Sequence, residues 1–224
     1  MEKAVNRPVT AEQVIPRLAV DDDLHGAEAD EGEPPTQHPL GEQPRAPMKR
    51  SDRHDPLLPR PPERTITASM QVRPARPKDL PAVSRLAAEL VRLHHRLDPP
   101  RFMLVEPIEE GYQWFLSREI KRKGALILVA EDEGTIIGYA YATLEPRNWN
   151  DLLDACGKLN DVYVDPAARR KGAGRALVKE TLAQLRARGA PRVVLLTAWK
   201  NPDAHAFFES LGYRRTMLEM TTEL

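Results

Sequence analysis

The chain is poor in four things, and each shortage narrows what it can be. Its 224 residues hold one cysteine, Cys156, which excludes an internal disulfide framework and fits a reducing compartment. No apolar run approaches the roughly 20 residues needed to cross a bilayer, and the opening Met1 to Pro8 lacks the apolar stretch of a secretory signal. There is no net charge, with 33 Lys and Arg against 33 Asp and Glu, so neither nucleic acid nor a membrane surface is an expected partner. Aromatic residues are missing before Phe102, and all twelve lie at or after it. A cytoplasmic protein is the expectation.

What is present divides the chain near residue 70. Residues 1–70 carry 11 of the 21 prolines, with 13 acidic and 9 basic side chains. Their charges are segregated: Asp21 to Glu33 is acidic, and Arg45 to Arg64 is mainly basic. Proline pairs at 34–35 and 61–62 block helix and ladder alike. Without aromatics, too little apolar area exists to offset about 1–2 kcal/mol of chain entropy per residue. A disordered, Pro-rich tail is expected over 1–70. It reads as a tether or partner-binding arm, as a plain solvated extension, or as a start assigned too far upstream. Residues 71–224 are then the folded domain.

Within that domain, 71–75 reads as a strand, with Asp79 placed to cap a helix that repeats Leu80, Val83, Leu86, Leu90 and Leu93 up to about His95. Pro99-Pro100 breaks it, and 106–121 is a second helix. The apolar run 125–131 and the alternating 135–144 flank Glu133-Gly134, a hairpin signal. Strands are expected at 158–164, 193–198 and 213–221, with helices at 174–188 and 202–211. The order β-α-α-β-β-β-α-β-α-β defines a mixed α/β domain.

The chemistry concentrates in residues 162–177. A strand ends at Val162-Tyr163-Val164, a turn carries Arg169-Arg170-Lys171-Gly172-Ala173-Gly174, and a helix begins at once with Arg175 in its first turn. First-turn amides lack intrahelical acceptors, and the helix dipole adds about half a positive charge there. Glycines admit a bulky anion close to the backbone. The product is a pyrophosphate cradle. A Walker A loop is excluded, because Arg175-Ala176 stand where Lys and Ser or Thr belong. A dinucleotide fingerprint starting at Gly172 would want Gly or Ala at Leu177. It would also want an acidic residue at the end of the next strand, which reads Thr197-Ala198-Trp199.

The stretch resembles the acyl-coenzyme A loop of the GNAT superfamily of N-acetyltransferases, Gln/Arg-x-x-Gly-x-Gly/Ala, as Arg169-Arg170-Lys171-Gly172-Ala173-Gly174. Leu159 to Pro166 resembles the strand preceding it in the family. Asn201, Ala204, Phe207, Glu209, Leu211, Gly212 and Tyr213 resemble a later family segment, and Val72 to Ala75 with Asp79-Leu80-Pro81 its start. The likeness covers about 71–224. It implies a mostly antiparallel mixed sheet of six to seven strands flanked by about four helices, with a V-shaped splay between strands 158–164 and 193–198.

The resemblance further implies an acetyl-CoA cosubstrate and no metal. The pantetheine arm would lie along Val162, Tyr163 and Val164, and the pyrophosphate on the amides of 170–175. Arg169, Arg170, Lys171 and Arg175 supply charge around it, with Asn201 and Phe208 also at the cofactor. An amine, small-molecule or peptide, would attack the thioester directly, leaving Cys156 without a nucleophilic role. An oxyanion donor is expected from the backbone near Val162. Two family roles are not filled in the usual way. Phe208 stands where the family has its tyrosine acid. Asn160, counted by strand alternation from Val164, stands on the face of the usual glutamate base, where it would position water. Asp161 reads as structural. A non-catalytic acyl-CoA sensor or scaffold is the alternative.

Other residues read more quietly. His94 and His95 diverge by about 100° on a helix and cannot chelate together, so exposed or capping roles are expected. Glu106, Glu109 and Glu110 suit the start of the second helix. They are also candidates to line the acceptor site. Trp149 reads as acceptor wall, rim or core, and Trp199 and Phe207 read as packing. The strand at 213–221 suggests a homodimer, an arrangement frequent in the family. The acceptor itself is not legible in the chain.

Overall fold

Glu133 and Gly134 both adopt left-handed backbone, φ 49° and 79°, which is what a two-residue hairpin turn requires. They join β2 (Ala125–Asp132) to β3 (Thr135–Glu145), an antiparallel pair. The computed structural model describes residues 70–224, so the expected tail lies outside the described residues. Around the hairpin the sheet is built in the order β1-β2-β3-β4-β5, with β1 at Gln71–Pro74, β4 at Cys156–Val164 and β5 at Val193–Leu195. The first four strands run antiparallel to their neighbours, and β5 alone runs parallel, beside β4.

Among the described residues four α-helices cover the sheet: α1 (Leu80–Leu97), α2 (Ile108–Glu119), α3 (Ala173–Ala187) and α4 (Pro202–Glu209). Strand alternation sends successive side chains to opposite faces. Ile127, Val129, Tyr139, Tyr141 and Tyr163 meet Val83, Leu86, Leu90 of α1 and Leu116 of α2. Leu126, Leu128, Ala140, Ala142 and Leu159 meet Leu177, Val178 and Leu185 of α3 and Phe208 of α4. Asp79 departs from its expected capping role. It stands at the cap position, but its carboxylate accepts from Arg76 N at 2.7 Å and from Arg73 at 2.6 Å. With Arg73 also bonded to Glu131, β1 is pinned to the turn before α1.

Two expectations are corrected. The sheet has five strands among the described residues rather than six to seven, because 213–221 forms no strand. Its alternation suits a ladder, but no strand among the described residues pairs with it, and a strand exists only by pairing. The fifth strand is also shorter than 193–198, ending at Leu195 where its partner turns away.

Candidate active site

The site begins with a failure of pairing. β4 and β5 are in register only at Gly157, Lys158 and Leu159 against Val193, Val194 and Leu195. From Asp161 to Val164, β4 is paired with β3 on one side and, among the described residues, with no strand on the other. Into the opening face Leu159, Asn160 and Val162 of β4, Leu195 at the end of β5 and Leu196 to Ala198 beyond it, Asn201, Ala204 and Phe208 at α4, and Leu90 and His94 of α1. This is the V that the family resemblance implied.

A bulge sharpens the parting. The β3–β4 register steps from Tyr141↔Asp161 to Ala142↔Leu159, leaving Asn160 as the extra residue. Simple alternation therefore fails at this point. Asn160 lines the cleft while its Nδ2 donates to Thr143 Oγ1 at 2.9 Å. Asp161 turns its carboxyl toward Tyr139, whose hydroxyl donates to it at 3.1 Å. Asp161 keeps some exposure as a residue, but burial of the carboxyl pushes its pKa up to about 6, against which the Tyr139 hydrogen bond acts weakly. Nearby, burial raises the Tyr112 phenol further, and Tyr141 donates to Glu119 at 2.5 Å.

The anion cradle lies beyond the strand's end. Asp165 accepts from Ala167 N at 2.8 Å and turns the chain through Pro166–Ala168. Arg170 and then Gly172 adopt positive φ, 61° and 92°. At Gly172 that geometry, which a side chain resists, starts α3. Gly172 offers no side-chain cap, and the first helical bond runs from Ala176 N to the Gly172 carbonyl. The amides of Ala173, Gly174 and Arg175 are thus left without intrahelical acceptors. A Cβ at Gly174 would stand 3.4 Å from Phe207 Cζ, so this glycine also seats α3 against α4.

The four cations divide. Arg169 folds back, donating from Nε to the Val164 carbonyl at 2.9 Å and lying over the Tyr163 ring at 5.2 Å. Arg175 donates to Ser210 Oγ at 3.0 Å. Arg170 and Lys171 are exposed on the loop. Asn201 caps α4, accepting from Ala204 N at 3.1 Å, and borders the cleft. Phe208 is 8 % exposed and lines the cleft from the far side. Of the three β4 residues expected along the carrier, Val162 lines the opening; the Tyr163 ring is buried toward α1, and Val164 packs toward α3.

Several other readings resolve. Cys156 is buried at the start of β4, outside the lining of this cleft, and burial raises its thiol pKa, which suits no nucleophile. Trp199 was expected to pack, yet it is 69 % exposed, as is Trp149 at 74 %. Glu106 and Glu109 face Arg92, the latter at 2.9 Å. His95 bonds the Phe102 carbonyl at 2.8 Å, while His94 lines the cleft. The exposed or capping role expected for His94 is thus corrected: Val83, Ala87, Leu90 and His94 continue one helical stripe that brings its ring to the cleft.

A sheet whose one parallel pair parts over the start of a basic-looped helix defines the class: the fold on which N-acetyltransferases are built. A model of the acetyltransferase (GNAT) family matches residues 89–213, more than half of the sequence, and the chain belongs to that family. It is 34 % identical over 94 residues to a mycothiol acetyltransferase of Thermomonospora curvata, covering 42 % of this chain but only 29 % of that protein. A D-amino-acid N-acetyltransferase of Saccharomyces cerevisiae is 27 % identical over 153 residues, 68 % of this chain and 90 % of the yeast protein. In solved structures the same fold occurs in the BH1408 protein of Bacillus halodurans, with TM-score 0.60 and 23 % identity over 69 % of this chain and 99 % of that one. It occurs also in aminoglycoside N-acetyltransferase AAC(6')-Iy in complex with CoA, with TM-score 0.53 and 16 % identity over 69 % and 94 %. The chain thus spans under a third of the first of these relatives and nearly all of the others. No helix among the described residues is long and apolar enough to cross a membrane.

Proposed function

We propose that this protein is an acetyl-CoA-dependent N-acetyltransferase, moving an acetyl group to a primary amine by direct attack in a ternary complex. The observation that carries the reading is the end of β4–β5 pairing at Leu159 and Leu195, with a helix start lacking side-chain caps beyond it. A pantetheine arm, with amide donors and acceptors, is the right chemistry to pair with a strand edge left open. Its pyrophosphate would rest on the amides of Ala173 to Arg175, with Arg170 and Lys171 supplying charge. Arg169, by occupying the Val164 carbonyl, closes the open edge at the phosphate end. A β4 amide near Val162 would stabilise the oxyanion.

The acceptor would arrive on the α1–α2 side, where Asp161 and the tyrosines give a polar wall. The two relatives, a mycothiol acetyltransferase and a D-amino-acid N-acetyltransferase, differ too much to choose an amine. A cytoplasmic setting and a folded domain over 71–224 complete this reading. Homodimerisation through the 213–221 segment is part of it as well: among the described residues β5 has a strand on one side only, and Leu196, Met217 and Met220 are exposed.

Phe208 favours a second reading, in which acyl-CoA is bound and not turned over, because phenylalanine cannot protonate a thiolate. A panel of amines incubated with acetyl-CoA and the full chain, with free thiol measured, separates the two. Thiol release with at least one amine supports transfer. Saturable acetyl-CoA binding with no release on any amine supports the sensor.

A further inference from the structure

With Asn160 and Phe208 at the two usual proton-handling places, the cleft has no acid or base at either. One titratable side chain nevertheless lines it, His94, on the same face of α1 as Leu90. Its ring stacks on Phe102 with centroids 4.9 Å apart and planes 20° from parallel. Apart from that stack, no described residue bonds or pairs with the ring. Burial lowers its pKa from the ordinary histidine value, so the imidazole is neutral and basic at physiological pH. Charged groups near it include Asp98 just after α1, Lys200 paired with Asp98 at 3.2 Å, and Arg101 over the Phe102 ring. His95 and Arg96 of α1, Lys158 and Asp161 of β4 and Asp203 and His205 of α4 are the other titratable or charged groups nearest to it on the elements bordering the cleft, and none of them is in the cleft's lining. Asn160, Asn201 and Phe208 on the other walls carry no charge.

We propose that His94 is the proton carrier of acetyl transfer, one residue acting in turn as base and acid. The proposal rests on the acetyltransferase reading above. The amine nitrogen forms a bond to the thioester carbonyl carbon, and the proton it sheds passes to the unprotonated ring nitrogen of His94, directly or through water held by Asn160. The carbon–sulfur bond then breaks, its electron pair leaving on sulfur, and His94 returns the proton to the thiolate. Amide and free thiol result, with no net proton change and no further reactant.

The test uses the full chain, acetyl-CoA and an amine from the panel, with His94→Gln and with His94→Phe, which keeps a ring against Phe102. Both variants are expected to lose about 10²- to 10⁴-fold in kcat, with acetyl-CoA affinity within about threefold of the parent. The acidic limb of the pH–kcat profile, falling below the ordinary histidine value of about 6.5, should disappear in both. Unchanged kcat with the limb intact would overturn the His94 assignment and leave the acetyltransferase reading standing. A parent chain that binds acetyl-CoA but releases thiol on none of the amines would overturn both. Should either variant fail to fold, the other decides; should both fail, the His94 ring resonance of the parent decides. It must shift on saturation with acetyl-CoA, and an unmoved resonance overturns the proposal.

Discussion

The two faces of the sheet are built from different chemistry. Toward α3 and α4 the sheet presents alanine and leucine, and the helices answer with Leu177, Val178, Leu185 and Phe208, a dry apolar layer. Toward α1 and α2 it presents Tyr139, Tyr141 and Tyr163, with Asp161 and Thr143 among them and Glu119 reaching in from α2. The first face is suited to holding one helix start rigidly at a fixed place. The second keeps polar groups poised beside a cleft, at the cost of burying a carboxyl. Rigidity on one side and titratable chemistry on the other is the division of labour that the proposed transfer needs.

Breaking the dry face should have the largest effect. Leu177 is fully buried, so Leu177→Ala is expected to cost about 2–5 kcal/mol by urea unfolding. Tyr163→Phe, which removes only a hydroxyl on the other face, should stay within about 1 kcal/mol. An equal cost for the two would dissolve the contrast.

The next effect is on binding. Gly172→Val forces a β-branched residue into φ 92° and disturbs the start of α3, and acetyl-CoA affinity measured by calorimetry should fall about 100-fold, near 2.7 kcal/mol. The amide signals of β2 and β3 should remain in place. Affinity within a factor of about three of the parent would detach the cradle from the carrier.

The smallest effect sharpens the polar face, and its sign depends on pH. Folding raises the Asp161 pKa from 3.8 to about 6, so the folded state prefers the proton. The cost of burying the charge is absent below about 3.8, grows between there and about 6, and is complete above. Asp161→Asn keeps an acceptor for Tyr139 and removes that cost. It should raise thermal stability at pH 8 by about 2 kcal/mol and leave it unchanged at pH 3. A stabilisation equal at both pH values would assign the effect to something other than the charge.

Much of this was legible in the sequence, for physical reasons that can be named. The hairpin at Glu133-Gly134 and the start of α3 announce themselves locally, through turn chemistry and glycine. The parting of β4 from β5 was expected through a family resemblance, and the pairing bears it out. The bulge at Asn160 was not legible, since alternation assumes a regular ladder and a bulge depends on the partner strand. For the same reason Asp161 was assigned to a structural role without its buried, proton-loving state being seen. His94 was read from its neighbour His95 rather than from the stripe it shares with Leu90. The missing sixth strand shows that an alternating pattern states an affinity for pairing, not the presence of a partner.

Amide hydrogen exchange of the full chain with and without saturating acetyl-CoA probes the opened strand edge directly. The account expects slowed exchange confined to about residues 160–164 of β4 and 172–176 at the start of α3, with β1 and β2 unchanged. Saturated binding that leaves both of those segments exchanging at their original rates would mean the carrier lies elsewhere.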